Sequence, residues 1–359
     1  MRIGILGASR IAELAIVGPA QELGHRLVAV AARDRHRAEL FAEKYGVERV
    51  LGTYDEVLDD PQVDAVYNPL ANSLHGPWNL AAVAAGKPVL AEKPYARNAS
   101  EALEVSAAAA AAGVPVVEAF HYRYHPVLLR LLDLIAAGDL GELRHVEVDM
   151  GMPAPSDDDP RWQLALAGGA LMDLGCYGIH VVRTIAALLG ADVAVVGAHA
   201  VERDPGVDAS CTVDMTIGAA IARSRNSMVD DHYHFSIQAI GSRAEALVHN
   251  FIKPHEDDRL TVRSASGERV ERLGTRTSYS YQLEAFAAHV VDGGPLPVDG
   301  ADAVAAEVSV GPRAGGKAAL THDKLGGLSA SVGVGLEPGK RYAIGGYSGG
   351  AGQIPGLTP

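Results

Sequence analysis

The sequence predicts an α/β Rossmann domain, a doubly wound parallel sheet, followed by an α+β domain on a large, mostly antiparallel, open-faced sheet. Three observations carry this. The first third alternates short aliphatic runs with alanine-rich helical stretches, the pattern of a parallel sheet covered on both faces. From about His121 onward, longer strand-like runs follow one another without intervening helices. The length, 359 residues, exceeds what one core usually serves. The expected units are 1–122, 123–310 and a glycine-rich tail at 311–359.

In chain order, strands are expected at 2–6, 26–32, 65–69, 88–91 and 115–118, and helices at 11–23, 35–45, 75–85 and 98–112. The second unit reads as a helix at 126–137, a strand at 145–150 and a helix at 171–189. Six strands then run from 193 to 264, and a helix at 281–291 closes that unit. Its open sheet is expected to leave an apolar face that a second copy covers, which implies a homodimer or higher homo-oligomer.

Composition narrows the function. Hydrophobic residues at 48% and charged ones at 21% describe a globular chain. A formal charge of −13 argues against a nucleic-acid surface. No apolar run reaches membrane-spanning length, and the N-terminus opens on a strand, without the pattern of a secretory signal. Two cysteines, Cys176 and Cys211, make no disulfide framework, so a cytoplasmic setting is expected.

Several predicted strands end in small or polar groups, where open α/β sheets bind ligands. After the first strand, Gly7-Ala8-Ser9-Arg10-Ile11-Ala12 has small residues in the three slots of a dinucleotide turn. The pyrophosphate would rest on N–H groups opening the next helix. The second strand ends Ala32-Arg33-Asp34, with Arg37 a turn later. An acid suits the ribose diol and an arginine a 2′-phosphate, so spacing leaves NAD and NADP both open. Asn72 or Ser73 is expected to cap the helix carrying His75. The run Glu92-Lys93-Pro94 ends a strand on a cation. In Gly168–His180, Asp173 and Tyr177 share a helix face, and Gly175 and Gly178 imply close packing. His121 with His125, and His232 with His234, complete no ligand set and read as surface or strand residues. Asp157-Asp158-Asp159 reads as a solvated loop.

The Gly7–Ala12 turn, Asn72-Ser73-Leu74-His75, Glu92-Lys93-Pro94, Glu118-Ala119-Phe120 and Gly168–Tyr177 occur in this order across roughly residues 1 to 300. Together they resemble the glucose–fructose oxidoreductase / inositol dehydrogenase / MocA (Gfo/Idh/MocA) family. Tyrosine at 177 is similar to the branch of dihydrodiol dehydrogenase, NADP-dependent xylose dehydrogenase and sugar ketoreductases. The resemblance implies an oxidoreductase for a C–OH or C=O group of a sugar, polyol or dihydrodiol. Lys93 and Tyr177 would handle the proton and Asp173 would orient them, with the lysine lowering the tyrosine's pKa. It places the cofactor against Gly7, Ala8, Ser9, Arg10, Ile11, Arg33, Arg37, Asn72, His75, Glu92 and Lys93. Arg33 after Ala32 implies NADP, with NAD as the alternative. Other functions within the fold are an NAD-dependent glycosidase and a catalytically silent cofactor-binding protein.

Overall fold

In the computed structural model, residues 1–296 are described throughout, and beyond them only the strand backbone at 309–313, 317–320, 331–332 and 342–343. The tail expectation at 311–359 therefore lies largely outside the described residues.

The first sheet holds β1 (Arg2–Leu6), β2 (Arg26–Ala31), β3 (Ala65–Asn68), β4 (Val89–Ala91) and β5 (Val116–Glu118). All pair in parallel in the order β2-β1-β3-β4-β5. Each is mostly apolar and buried on both faces, as a covered parallel sheet requires. The chain leaves β1 for β2 on one side and later fills β3 on the other. That switch of direction opens a crevice at the carboxyl ends of β1 and β3.

After α1 (Gly18–Glu22), three of the helices on this sheet start on side-chain caps. Asp34 accepts from the N–H groups of His36 and Arg37 to open α2 (Arg35–Tyr45), and Asn98 accepts from Glu101 to open α5 (Ala99–Ala112). The sequence reading omits α3 (Tyr54–Asp59). Its signal is a capping box: Thr53 accepts from the Glu56 N–H, and Glu56 reaches back to the Gly52 N–H. The expected cap of α4 (Asn72–Ala84) is corrected. Ala71 is the cap residue, and Asn72 sends its amide elsewhere.

The second sheet runs β13-β12-β11-β10-β6-β9-β8-β7, antiparallel except between β6 (Leu143–Gly151) and β9 (Ala220–Ser227). The others are β7 (Val193–Asp204), β8 (Val207–Ile217), β10 (His234–Gly241), β11 (Ala244–Val248), β12 (Arg259–Ser264) and β13 (Gly267–Arg272). The strand β13, Gly-Glu-Arg-Val-Glu-Arg, has too little apolar content to be read from sequence. Helices α6 (Pro126–Ala136) and α7 (Cys176–Leu189) share a core with the inward residues of this sheet, among them Val146, Val213, Met215 and Ile237. The segment 164–189 is long and apolar enough to span a membrane by composition, but most of it is buried in this core.

Two expectations change here. The outward face of the sheet is not apolar: alternate positions carry Glu147, Asp149, Asp214, Arg223, Arg225 and Gln238, joined in ion pairs such as Arg223–Asp214 and Arg225–Asp149. The helix α8 (Ser278–Asp292) does not close the second unit. Its Tyr279, Leu283 and Phe286 pack with Ile3, Ile5 and Ile16 of the first, and Arg276 and Ser280 bind Glu22. The chain thus returns to its N-terminal core, which a division into consecutive segments cannot express.

Candidate active site

The turn after β1 is built as an anion cradle. Gly7 sits at φ +106°, where a side chain is strained, and a Cβ there would lie 3.0 Å from Leu70 Cδ2. Its own N–H binds Ala31 O, and Ser9 and Ala12 close local turns. The N–H groups of Ala8, Arg10 and Ile11 have no partner among the described residues. The helix beyond starts as a π turn at Glu13–Val17, two residues later than expected. At the far rim, Arg33 and Arg37 are exposed, and Arg37 Nη2 donates to Ala8 O at 3.0 Å. Asp34 caps the helix through Oδ1 and lines the same cleft. These features fit a dinucleotide bearing a 2′-phosphate: unpaired N–H donors for the diphosphate, and guanidinium groups where a ribose acid would otherwise stand.

Lys93 ends β4 beneath the same cleft. Its ammonium donates to Asp173 Oδ1 at 2.9 Å and to Asp173 O at 2.7 Å, with both side chains nearly buried. Burial pushes the lysine's pKa down, but the Asp173 carboxylate outweighs it and the value ends above the ordinary one. Burial likewise works against the ionised Asp173; Lys93 and then Arg161 overcome it and bring the carboxyl to about 2. The pair is therefore charged at neutral pH.

Tyr177 lies beside them, one helical turn after Asp173. The glycines of this helix answer to packing: a Cβ on Gly178 would collide with Ser224 Oγ of β9, and one on Gly175 with Leu171 Cδ1. The phenol ring packs edge-on against Phe120, at 5.4 Å between centroids, and near Tyr122 and Phe251. Lys93 Nζ stands over this ring, 5.1 Å from its centroid. The expectation that the lysine lowers the tyrosine's pKa is corrected. Burial, followed by the neighbouring Tyr279 and Glu92, holds the phenol well above its ordinary value, while the ammonium pairs with Asp173.

His121, read from sequence as a surface or strand residue, is fully buried with its Nε2 3.4 Å from Tyr177 Oη. Its Nδ1 lies 2.8 Å from Ser278 Oγ, its ring stacks on Tyr279, and burial pushes its pKa down to about 3. The ring is neutral, so one nitrogen donates and the other accepts. Nothing local in the sequence marks it, since Ser278 and Tyr279 come from the returning helix α8.

The remaining expected residues separate. Asn72 donates to Ala167 O at 2.9 Å, joining the two units across the cleft. His75 borders the cleft, yet its nitrogens face backbone carbonyls, Pro94 O at 2.6 Å and Leu70 O at 2.8 Å. Burial brings its pKa to about 4, so a neutral ring bridges these two segments while lining the cleft. Glu92 accepts from Tyr67 Oη at 2.8 Å and is likewise buried, its pKa raised by that burial. Asp159 is no solvated loop residue. It caps the 3-10 turn Pro160–Trp162 and pairs with Arg10 and Arg161. Its local signal is an Asp-Pro pair, the cap and first residue of a turn. Cys176 is a buried thiol pushed up to about 12, a core residue.

Most of these groups border one cleft of about 1440 Å³, His121 and Cys176 lying behind its wall. The turn after β1 and the end of β2 form one end of it, and Lys93, Asp173 and Tyr177 its middle. Met150, Met152, Tyr233, Phe235 and Lys253 line the side toward the second sheet.

Residues 1–120 match the family model for an oxidoreductase family with an NAD-binding Rossmann fold, and residues 128–247 match the GFO/IDH/MocA C-terminal domain. The chain is 33% identical over 307 residues to a D-xylose 1-dehydrogenase (NADP(+)) of Haloferax volcanii, an alignment covering 85% of this chain and 93% of that one. It is 33% identical over 287 residues to a dTDP-3,4-didehydro-2,6-dideoxy-alpha-D-glucose 3-reductase of Saccharopolyspora spinosa, covering 79% and 83%. Among solved structures, a 3-ketoreductase from Actinomadura kijaniata in complex with NADP and TDP-benzene superposes with a TM-score of 0.77 at 28% identity, covering 85% of this chain and 94% of that one.

Proposed function

The chain belongs to the Gfo/Idh/MocA oxidoreductase family, and from that premise we propose that it is an NADP(H)-dependent enzyme interconverting a C–OH and a C=O group on a sugar, polyol or diol, with Lys93, Asp173 and Tyr177 as its catalytic centre. The observation that carries the reading is the convergence of the Gly7–Ile11 cradle, the Lys93–Asp173 pair and Tyr177 on one cleft.

The dinucleotide would lie along Gly7–Ile11 with Arg33 and Arg37 at its 2′-phosphate, and it supplies or accepts the hydride. The chain's own groups manage the proton. Tyr177, kept neutral by burial, donates to the substrate oxygen in reduction and recovers the proton in oxidation. A neutral His121 donating from Nε2 frees the phenolic hydrogen for substrate and stabilises the phenolate left behind. An ammonium has three donors, and Lys93 spends two on Asp173, leaving one for the substrate oxygen. Variants of the Actinomadura kijaniata enzyme replace one lysine and one tyrosine. These stand the same number of residues apart in that protein as Lys93 and Tyr177 do here, which supports the assignment.

The substrate wall is largely apolar and aromatic, with Tyr233 exposed and Lys253 Nζ 5.6 Å from its ring centroid, a surface suited to the faces of a polyhydroxylated ring. Pairing of two copies through the ion-paired outer face of the second sheet belongs to the same proposal; sedimentation showing only monomer at micromolar concentration would count against it. A cytoplasmic setting suits the two buried free thiols. The reading is tested by following NADPH absorbance with aldoses, ketosugars and 1,2-diols, in both directions. Turnover with a net change in NADPH is expected; tight NADP(H) binding without net change across the panel would favour a glycosidase or a silent binder.

A further inference from the structure

Between the phosphate cradle and the catalytic lysine runs a continuous series of ion pairs. Arg10, within the turn after β1, reaches Asp159 Oδ2 through Nη2 at 2.8 Å. The same Oδ2 lies 3.4 Å from Arg161 Nη1. Arg161 Nε then binds Asp173 Oδ2 at 2.8 Å, while Asp173 Oδ1 holds Lys93. The acids are the buried members, at 5% exposure for Asp159 and 14% for Asp173, whereas Arg10 is 83% exposed. An exposed pair alone contributes little. Here the exposed end is the cation nearest the cradle, and each buried carboxylate is shared between two cations.

We propose that Asp159 and Arg161 are positioning residues that couple occupancy of the phosphate cradle to the placement of Lys93. A diphosphate that draws on Arg10 takes one of the two guanidinium groups sharing Asp159 Oδ2. Asp159 then holds Arg161 more closely, and Arg161 determines how Asp173 presents its other oxygen to the lysine. Asp159 is fixed for this part because its Oδ1 also accepts the Arg161 N–H at 3.1 Å. Arg161 is well placed for it because a planar guanidinium binds two carboxylates from separate edges, which a lysine cannot reproduce. By reciprocity, changes at Asp173 must then alter dinucleotide affinity through Arg10.

The inference rests on NADP(H) being the dinucleotide, and its test needs no substrate. NADPH dissociation constants are measured by fluorescence for the wild type, Arg10→Gln, Asp173→Asn and the double variant, then for the same four in an Arg161→Met background. Thermal melts confirm folding, with Asp173→Glu and Arg10→Lys as replacements for any variant that fails. The expected result is a departure from multiplicativity of more than about twofold in the native background, abolished by Arg161→Met and not restored by Arg161→Lys. Multiplicativity within about twofold in the native background, or coupling that survives Arg161→Met, overturns the inference. A wild type that does not bind NADPH sinks the functional reading itself and this inference with it.

Discussion

Replacing Arg33 by alanine should convert an NADP-selective protein toward indifference between the two dinucleotides. Arg33 is exposed at the end of β2, and no ion pair engages it among the described residues, so its guanidinium is free for a phosphate. A charge-assisted hydrogen bond contributes about 1.5–3 kcal/mol, and exposure to salt screening argues for the lower end. About 1.5 kcal/mol corresponds to roughly tenfold in NADPH affinity. Arg37 starts from a different position, because it already donates to Ala8 O and must share that contact. Its alanine variant should lose about three- to tenfold for NADPH and also weaken NADH somewhat, since the cradle loses its brace. The assay is fluorescence titration of NADPH and NADH against wild type, Arg33→Ala and the double variant at two salt concentrations. Equal losses for both dinucleotides in Arg33→Ala, or wild-type dissociation constants that do not differ, would refute the assignment.

Gly7→Ala should destabilise the fold by about 1–2 kcal/mol and weaken NADPH binding, because it places a side chain at φ +106° against Leu70; unchanged urea midpoint and affinity would contradict it. Asp173 makes a pH-dependent contribution. Its folded pKa of about 2 lies below the unfolded value of ~3.9, so its stabilisation is present above that value and is lost as pH falls toward 2. The stability gap between wild type and Asp173→Asn should therefore shrink by about 2 kcal/mol between pH 5 and pH 2 in denaturant melts, and a constant gap would count against the pairing. His121→Phe should lower kcat about tenfold or more while leaving NADPH affinity near wild type, since it acts on the phenol alone; a loss confined to cofactor binding would remove it from the proton path.

Most of the first domain was legible because its signals are local. Strand runs, the Gly7 turn and the helix after Arg97 each depend on signals within a few residues of what they determine. The second sheet was legible in its strands β6 to β12 but not in β13 or in its faces, because period-two alternation does not say which side helices α6 and α7 cover. What escaped depends on residues distant in sequence. Asn72 looks like a cap until Ala167 is brought beside it. His121 becomes a neighbour of Tyr177 only because α8 returns to enclose it. Asp159 and Arg161 carried a local turn signal, yet their link to Lys93 exists only once the cleft is formed. The relation of Lys93 to Tyr177 was seen as proximity, whereas the stacking of its ammonium over the ring required coordinates.

In the proposed mechanism Tyr177 moves the proton while Lys93 and Asp173 hold the charge beside it. With the best substrate from the carbonyl and diol panel, kcat and the NADPH dissociation constant are measured for wild type, Tyr177→Phe, Lys93→Met and the double variant. A general acid contributes about 10²–10⁴-fold, so each single variant should lose roughly that much in kcat. The double variant should lose far less than the product, because the groups act as a unit. NADPH affinity should persist in Tyr177→Phe, whose residue lies away from the phosphate cradle. Near-normal kcat in Tyr177→Phe would contradict the mechanism and leave Tyr177 a packed residue of α7.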